Sequence, residues 1–225
     1  MVMGFFAVSI TAAQSSSGSD EMSVEQSYLR ESIEMMIIRE TARGESREQK
    51  LIALEYIGEA IGRGSTNEEI RETLEYLSRE GRRTVVRENG RIINNFPDVR
   101  RQAARYLGQI GTEEAVLALI EILQFENEPM VLQEAVKSLG DIGINNNNDT
   151  VANIVWVARR FDNLNPDNLL AIATIDALEK IARKNGGLSY PDAIQLLLRI
   201  SEGSYIRPVQ ERARQLLAEM RNFSF

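Results

Sequence analysis

The sequence of 225 residues contains no cysteine and no histidine. The first absence excludes disulfides and thiolate nucleophiles, the second removes the imidazole general base, and together they remove the usual zinc and haem ligands. Tryptophan occurs once, proline five times, and aromatic residues make up 6% of the chain, which argues against a cleft that stacks bases or chromophores. Carboxylates, lysines and serines remain, yet no nucleophile elbow, phosphate loop or EF-hand organises them. This inventory opposes an enzyme and implies no catalytic residues, no cofactor and no metal site. The formal charge of -7 and a pI near 4.9 oppose nucleic acid as a partner, because such affinity is built largely from phosphate neutralisation.

What is present is apolar patterning. Hydrophobic residues make up 43% of the sequence, enough at this length for a single domain with a sizeable core. One phrase occurs twice, 32 residues apart: VRRQAARYLGQIG at 99–111 and VLQEAVKSLGDIG at 131–143. Val99, Ala103, Leu107 and Ile110, and then Val131, Ala135, Leu139 and Ile142, fall on one face of a helix, and each helix stops on glycine. One helix cannot cover such a stripe, so neighbouring units stack. The same spacing predicts further helices over 24–41 (Leu29, Ile33, Met36, Ile37), 47–61, 66–77, 113–123, 151–161, 168–182, 191–200 and 209–220. Thr66 with Glu69 offers a capping box. Aligning Ile57, Leu107, Leu139, Leu178 and Leu217 gives intervals of 50, 32, 39 and 39; the last three suit two-helix repeats, and the first is too long.

The excess lies at about 81–96. Asn89-Gly90 between two β-prone runs is a type I′ hairpin signal, because both central residues need positive φ. The predicted register sets Arg87 against Ile92 and Val86 against Ile93, with apolar contact across the strands. An isolated hairpin is marginal, so it is expected to lean on the helices.

Residues 1–22 read as a signal-peptide-like apolar run, ending in Thr11-Ala12-Ala13, with a Ser-rich linker; residues 23–225 form the folded part. The run is too short for a stable membrane span. Export to a periplasmic or extracellular compartment is the expectation, with a cytoplasmic location if the segment is not a signal. Asn148-Asp149-Thr150 and Asn222-Phe223-Ser224 are glycosylation sequons, relevant to a eukaryotic secreted protein. The loop from Asn145 to Thr150 reads as a polar connector or an oxygen-lined cation loop.

The stretch PDVRRQAARYLGQIGTEEAVLALIEIL at 97–123 resembles the HEAT repeat, in its phycobilisome-lyase-like subtype. The resemblance is strong over 98–143 and weaker over 47–77 and 169–220, where Leu178-Glu179 and Leu217-Ala218 replace the Leu-Gly pair. It implies an all-α fold, an α-solenoid of two-helix repeats with one inserted β-hairpin, and it implies protein binding. Some HEAT proteins attach bilin chromophores and a HEAT-like group of glycosylases excises bases, so an enzyme acting on a bound chromophore or nucleobase is the alternative function. A structural subunit of a cell-envelope assembly is another.

The leading expectation is a non-catalytic scaffold or adaptor that binds another protein, one with an acidic surface. Arg82, Arg83, Arg87, Arg91, Arg100, Arg101 and Arg105 stand against only Glu88 and Asp98, a local charge of +5 that suits docking; equally, their stems cover apolar surface and their heads pair with glutamates. Arg82, Arg83, Arg87, Arg91 and Arg101 are candidate binding residues on this ground. Glu113, Glu121, Asn153, Trp156 and Arg160 are candidates on second helices, with Trp156 either an interface anchor or a core residue. Tyr28, Met35 and Met36 are either an apolar docking face or packing residues, and exposed solenoid ends allow self-association.

Overall fold

A computed structural model of the chain describes residues 23–162 and 166–221. The signal-like segment and linker (1–22) and the sequon at Asn222 lie outside the described residues. The chain divides into two compact units, Met1–Glu34 and Met35–Phe225. In the first, the described residues begin α1 (Val24–Arg43) and expose Tyr28, Leu29 and Ile33. In the second, the continuation of α1 buries Met35, Ile38 and Ala42 while Met36 and Ile37 face solvent. The buried stripe is thus one step round the helix from the expected Leu29, Ile33, Met36 and Ile37. Both stripes satisfy helical spacing, and only packing chooses between them.

From α2 onwards, apolar stripes are covered in two layers. One holds α2 (Arg47–Gly62), α4 (Pro97–Ile110), α6 (Pro129–Ile142), α8 (Asn168–Asn185) and α10 (Arg207–Met220), packed in succession. The other holds α3 (Glu68–Ser78), α5 (Glu113–Phe125), α7 (Asp149–Asp162) and α9 (Pro191–Glu202), likewise successive. This is an all-α solenoid with a single hairpin among the described residues. In the repeated phrase, Val99, Ala103, Leu107, Val131, Ala135 and Leu139 are fully buried, and Ile110 and Ile142 pack against the core from its margin. Gly108 and Gly140 let these helices meet closely: a β-carbon at Gly140 would lie 2.6 Å from the Cα of Ala177 on α8.

The capping box lies elsewhere than expected. Ser46 Oγ accepts from the Gln49 amide and Gln49 Oε1 from the Ser46 amide, both at 3.2 Å, at the start of α2. At α3 the chain turns helical one residue later than the Thr66 and Glu69 pattern requires, so Asn67 takes the cap and its Oδ1 accepts from the Ile70 amide at 3.0 Å.

The hairpin between α3 and α4 has the predicted register. β1 (Arg87–Glu88) and β2 (Arg91–Ile92) are antiparallel, Arg87 opposite Ile92, and the Ile93 amide donates to the Val86 carbonyl at 3.0 Å. Asn89 and Gly90 have φ of 48° and 81°. The hairpin leans on the helices, as expected, through groups that the sequence pattern does not name. Val86 and Ile93 are 47% and 48% exposed, and the hairpin is held by polar groups at its base. Among the described residues, no helix is long and apolar enough to cross a membrane.

Candidate functional site

Lys50 and Arg100 occupy helix positions that helical spacing assigns to the core. Lys50 is in line with Ala53, Leu54 and Ile57 of α2, and Arg100 with Ala103, Ala104 and Leu107 of α4; both side chains are almost wholly buried. A buried charge is costly unless it is paired and hydrogen-bonded. Lys50 Nζ lies 3.0 Å from Glu80 Oε2 and donates to the Ala42 carbonyl at 3.1 Å. Arg100 Nε donates to Glu126 Oε2 at 2.6 Å, and its Nη1 donates to the Glu80 carbonyl and to Asn95 Oδ1, both at 3.0 Å.

Asn94 completes the base of the hairpin. Its Nδ2 donates to Glu80 Oε1 and to the Thr84 carbonyl, each at 2.6 Å, while its Oδ1 accepts from the Val86 amide at 2.9 Å. The two legs close at Gly81, with φ of 70°, where a β-carbon would lie 2.7 Å from the Cα of Asn95; a side chain there would force the legs apart. On the far side, Glu126 Oε1 accepts from the amides of Asn127 at 2.8 Å and Glu128 at 3.0 Å and faces Arg82 Nε at 2.9 Å. Burial pushes the Glu126 carboxyl up, but hydrogen bonds from Arg100 and the Glu128 amide outweigh it and hold the group below the ordinary glutamate range. A continuous polar network thus ties the hairpin to α2, α4 and the end of α5.

The surface outside this network belongs to α5 and α7. Arg79 grips Glu121 of α5 through Nε (3.1 Å) and Nη2 (2.7 Å), and Arg83 pairs with the same carboxylate. The Arg79 hydrogen bond, against burial and with help from Arg83, keeps Glu121 below its ordinary range. The Arg83 guanidinium lies 4.8 Å from the ring centre of Phe125. On α7, the Arg160 guanidinium is 5.0 Å from the rings of both Trp156 and Phe161 and donates to the Glu126 carbonyl. Gln124 Nε2 donates to Asn153 Oδ1 at 3.3 Å, joining α5 to α7. Phe125 and Trp156 are 50% and 47% exposed, each with a guanidinium against its ring.

Arg82, Arg83, Glu121, Asn153, Trp156 and Arg160 therefore come together along one continuous run from the end of α3 across α5 to α7. Four candidates, Arg101, Glu113, Arg87 and Arg91, do not join it. Arg101 pairs with Glu134 of α6 at 3.5 Å, in the other helix layer, and Glu113 accepts from Asn146 Nδ2 at 3.1 Å at the opposite end of α5. Arg87 and Arg91 project on the hairpin, and together with Arg105 they make no ion pair among the described residues, whereas Arg100 is buried. The local positive charge is thus partly neutralised by Glu121, Glu126, Glu128 and Glu134. Trp156 sits half exposed at the edge of α7.

Sequence reasoning misses Lys50, Glu80, Asn94, Arg100 and Glu126 as a unit. Lys50 and Arg100 carry a signal, their place on an apolar stripe; Glu80, Asn94 and Glu126 carry none, since their partners are distant in sequence. In the asparagine loop, Asn148 Oδ1 accepts from Asn145 and Ser189, both at 3.1 Å, and the buried Thr150 hydroxyl donates to the Ile144 carbonyl at 2.7 Å. These oxygens are engaged internally, as in a polar connector. No group of carboxylates with metal-holding geometry occurs among the described residues.

Residues 91–160, from β2 to Arg160, match the family described as HEAT repeats. Among solved structures, the chain is similar to the complex of CpcE and CpcF of phycocyanin lyase from Nostoc sp. PCC7120, with a TM-score of 0.57, 18% identity and 83% of this chain covered. The chain spans 64% of the matched chain, and at this identity the likeness is one of fold. No curated protein matches the sequence. The repeated Leu-Gly phrase lies inside the matched segment: residues 91–160 are HEAT repeats, and the helices on either side continue the same two-layer stacking.

Proposed function

We propose that this protein is a protein-protein interaction module that binds an acidic partner through the face formed by α5 and α7. The observation that carries this reading is the pair of half-exposed aromatics, Phe125 and Trp156, each with an arginine set against its ring. Aromatic and arginine side chains dominate binding energy at interfaces. Here Arg83 is held by Glu121 and Arg160 by the Glu126 carbonyl, so little side-chain freedom is lost on association. Arg160 makes no ion pair among the described residues, leaving its charge for carboxylates on the partner. Both pinned carboxylates, Glu121 and Glu126, are held ionised, which suits positioning rather than proton transfer near neutral pH.

The test is crosslinked recovery from the native source with the wild-type chain and with Trp156→Ala/Arg160→Ala. Loss of a stoichiometric partner by about tenfold or more supports the face, and undiminished recovery overturns it. Obligate co-purification of an envelope complex would place the module in a structural assembly. The same recovery tests export: an intact mass beginning near Gln14 supports it, and an unprocessed chain opposes it.

A second reading is a subunit acting with a partner chain in a phycocyanin-lyase-like complex. It is supported by the fold likeness and by an open groove of about 350 Å³ between α6 and α8, with Met130, Leu169 and Ile172 as apolar lining and with charges of both signs, Lys137 and Lys180 beside Glu134 and Asp176. A change in the visible absorption of phycocyanin on incubation with the protein and its co-purifying chain would move this reading ahead of a purely binding role.

A further inference from the structure

We infer that the hairpin is a strand-addition site, which takes an extended acidic segment of a partner protein on its open edge. The inference rests on the interaction-module reading but uses a different surface from the α5 and α7 face. The hydrogen bond from the Ile93 amide to the Val86 carbonyl fixes the parity of the ladder. Residues 86 and 93 form a hydrogen-bonded pair, so Arg87 and Ile92 form the neighbouring pair whose N–H and C=O groups point away from each other, one set along each edge. A two-stranded sheet leaves both edges open, and an open edge is a template for another strand unless something blunts it.

Nothing apolar is withheld at this edge. Val85, Val86, Ile92 and Ile93 are 40%, 47%, 39% and 48% exposed, which offers contacts to alternate side chains of an added strand. The base is rigid, because Asn94 bonds to Glu80, Thr84 and Val86 and Arg100 to Glu80 and Asn95; the sheet is therefore presented without an ordering cost at its root. Charge names the occupant. Arg87 and Arg91 make no ion pair among the described residues, and because Arg87 lies opposite Ile92 and Arg91 opposite Glu88 they project from opposite faces of the hairpin; a strand carrying carboxylates at adjacent positions, one towards each face, supplies their partners.

The experiment is selection of a displayed library of random dodecapeptides on the full chain, followed by affinity and amide-exchange measurements on the enriched peptides. The expected outcome is enrichment of adjacent acidic residues flanked by β-branched or aromatic ones, with new exchange protection at the Arg87 or Ile92 amide. Arg87→Glu/Arg91→Glu should weaken these peptides by about tenfold or more, and Trp156→Ala/Arg160→Ala should bind them as the wild type does. Neutral or basic consensus peptides, protection confined to other segments, undiminished binding by Arg87→Glu/Arg91→Glu, or dimerisation of the chain through the hairpin would each overturn the inference. Loss of binding only in Trp156→Ala/Arg160→Ala would overturn it while leaving the α5 and α7 face intact as the binding surface.

Discussion

Between α6 and α8, Gly140 lies against Ala177 so closely that a β-carbon would meet backbone; at the corresponding place on α8 the chain has Glu179, which pairs with Arg183 at 2.7 Å and reaches across to Arg212 of α10. At Gly140 the first junction has no room for a side chain, whereas at Glu179 the next is spanned by one. The contrast extends to charge. At the hairpin base, Arg100 and Glu126 have side chains 0% and 2% exposed, whereas Arg183 is 60% exposed and Arg212 27%. Charges near water find substitutes when a partner is lost; charges inside do not. The first region therefore specifies geometry, and the second tolerates variation, which fits the replacement of Leu-Gly by Leu-Glu and Leu-Ala in the later repeats.

The sharpest way to break this comparison is Arg100→Met. It leaves Glu126 buried with Arg82 and two amides as partners and orphans the Glu80 carbonyl, and should cost about 3–5 kcal/mol, read as a lower denaturant midpoint. Adding Glu126→Leu should restore part of that loss by removing the buried carboxylate, while the Glu80 carbonyl and the Asn127 and Glu128 amides stay without their partners. A double variant as unstable as the single one would show that the network is not acting through its buried charge.

The same glutamate governs the response to acid. Its folded pKa lies below the unfolded value, so its stabilising contribution is complete above the ordinary glutamate range and is lost as pH falls through the folded value. Stability measured from neutral pH downwards should therefore decline through this window, and Glu126→Gln should flatten that decline. An unchanged slope would assign acid sensitivity to other carboxylates.

Smaller effects test the helix junctions. Gly140→Ala should destabilise by about 1–2 kcal/mol, overpacking against the Ala177 backbone outweighing the gain in helix propensity. Gly58→Ala should destabilise less than Gly140→Ala, because its β-carbon would meet the hydroxyl end and ring of Tyr106 rather than backbone, and the ring must tilt away from the core and from Gln102. Smallest of all, Arg183→Ala should leave the melting temperature almost unchanged, because an exposed ion pair is screened by water and salt; a clear drop would mean that the α8 to α10 junction depends on its surface charges.

The helices are legible in the sequence because each carries its own period and its own stop signals, and the hairpin because Asn89-Gly90 admits few other conformations. The register of Arg87 against Ile92 follows from the two-residue turn alone. Spacing misplaces the stripe on α1 because Met35, Ile38 and Ala42 compete with an equally periodic set. It places the cap on α3 one residue early because Thr66, Asn67 and Glu69 offer overlapping patterns. Of the candidate site, Trp156 and Arg160 are legible by residue type. Arg100 reads as one surface cation among seven, although its spacing with Ala103, Ala104 and Leu107 puts it on the buried stripe.

By itself the sequence determined the repeat, the order of helices and the hairpin turn, since those depend on local spacing and backbone preference. It also determined, through the absence of cysteine and histidine, which chemistry the chain lacks. Only the tertiary structure decided which arginines are paired inside the protein and which stay at the surface. Arg100 meets Glu126 across 26 residues and Arg79 meets Glu121 across 42, and such pairings arise from the stacking of whole helices, where desolvation makes each buried charge depend on a partner that no local pattern announces.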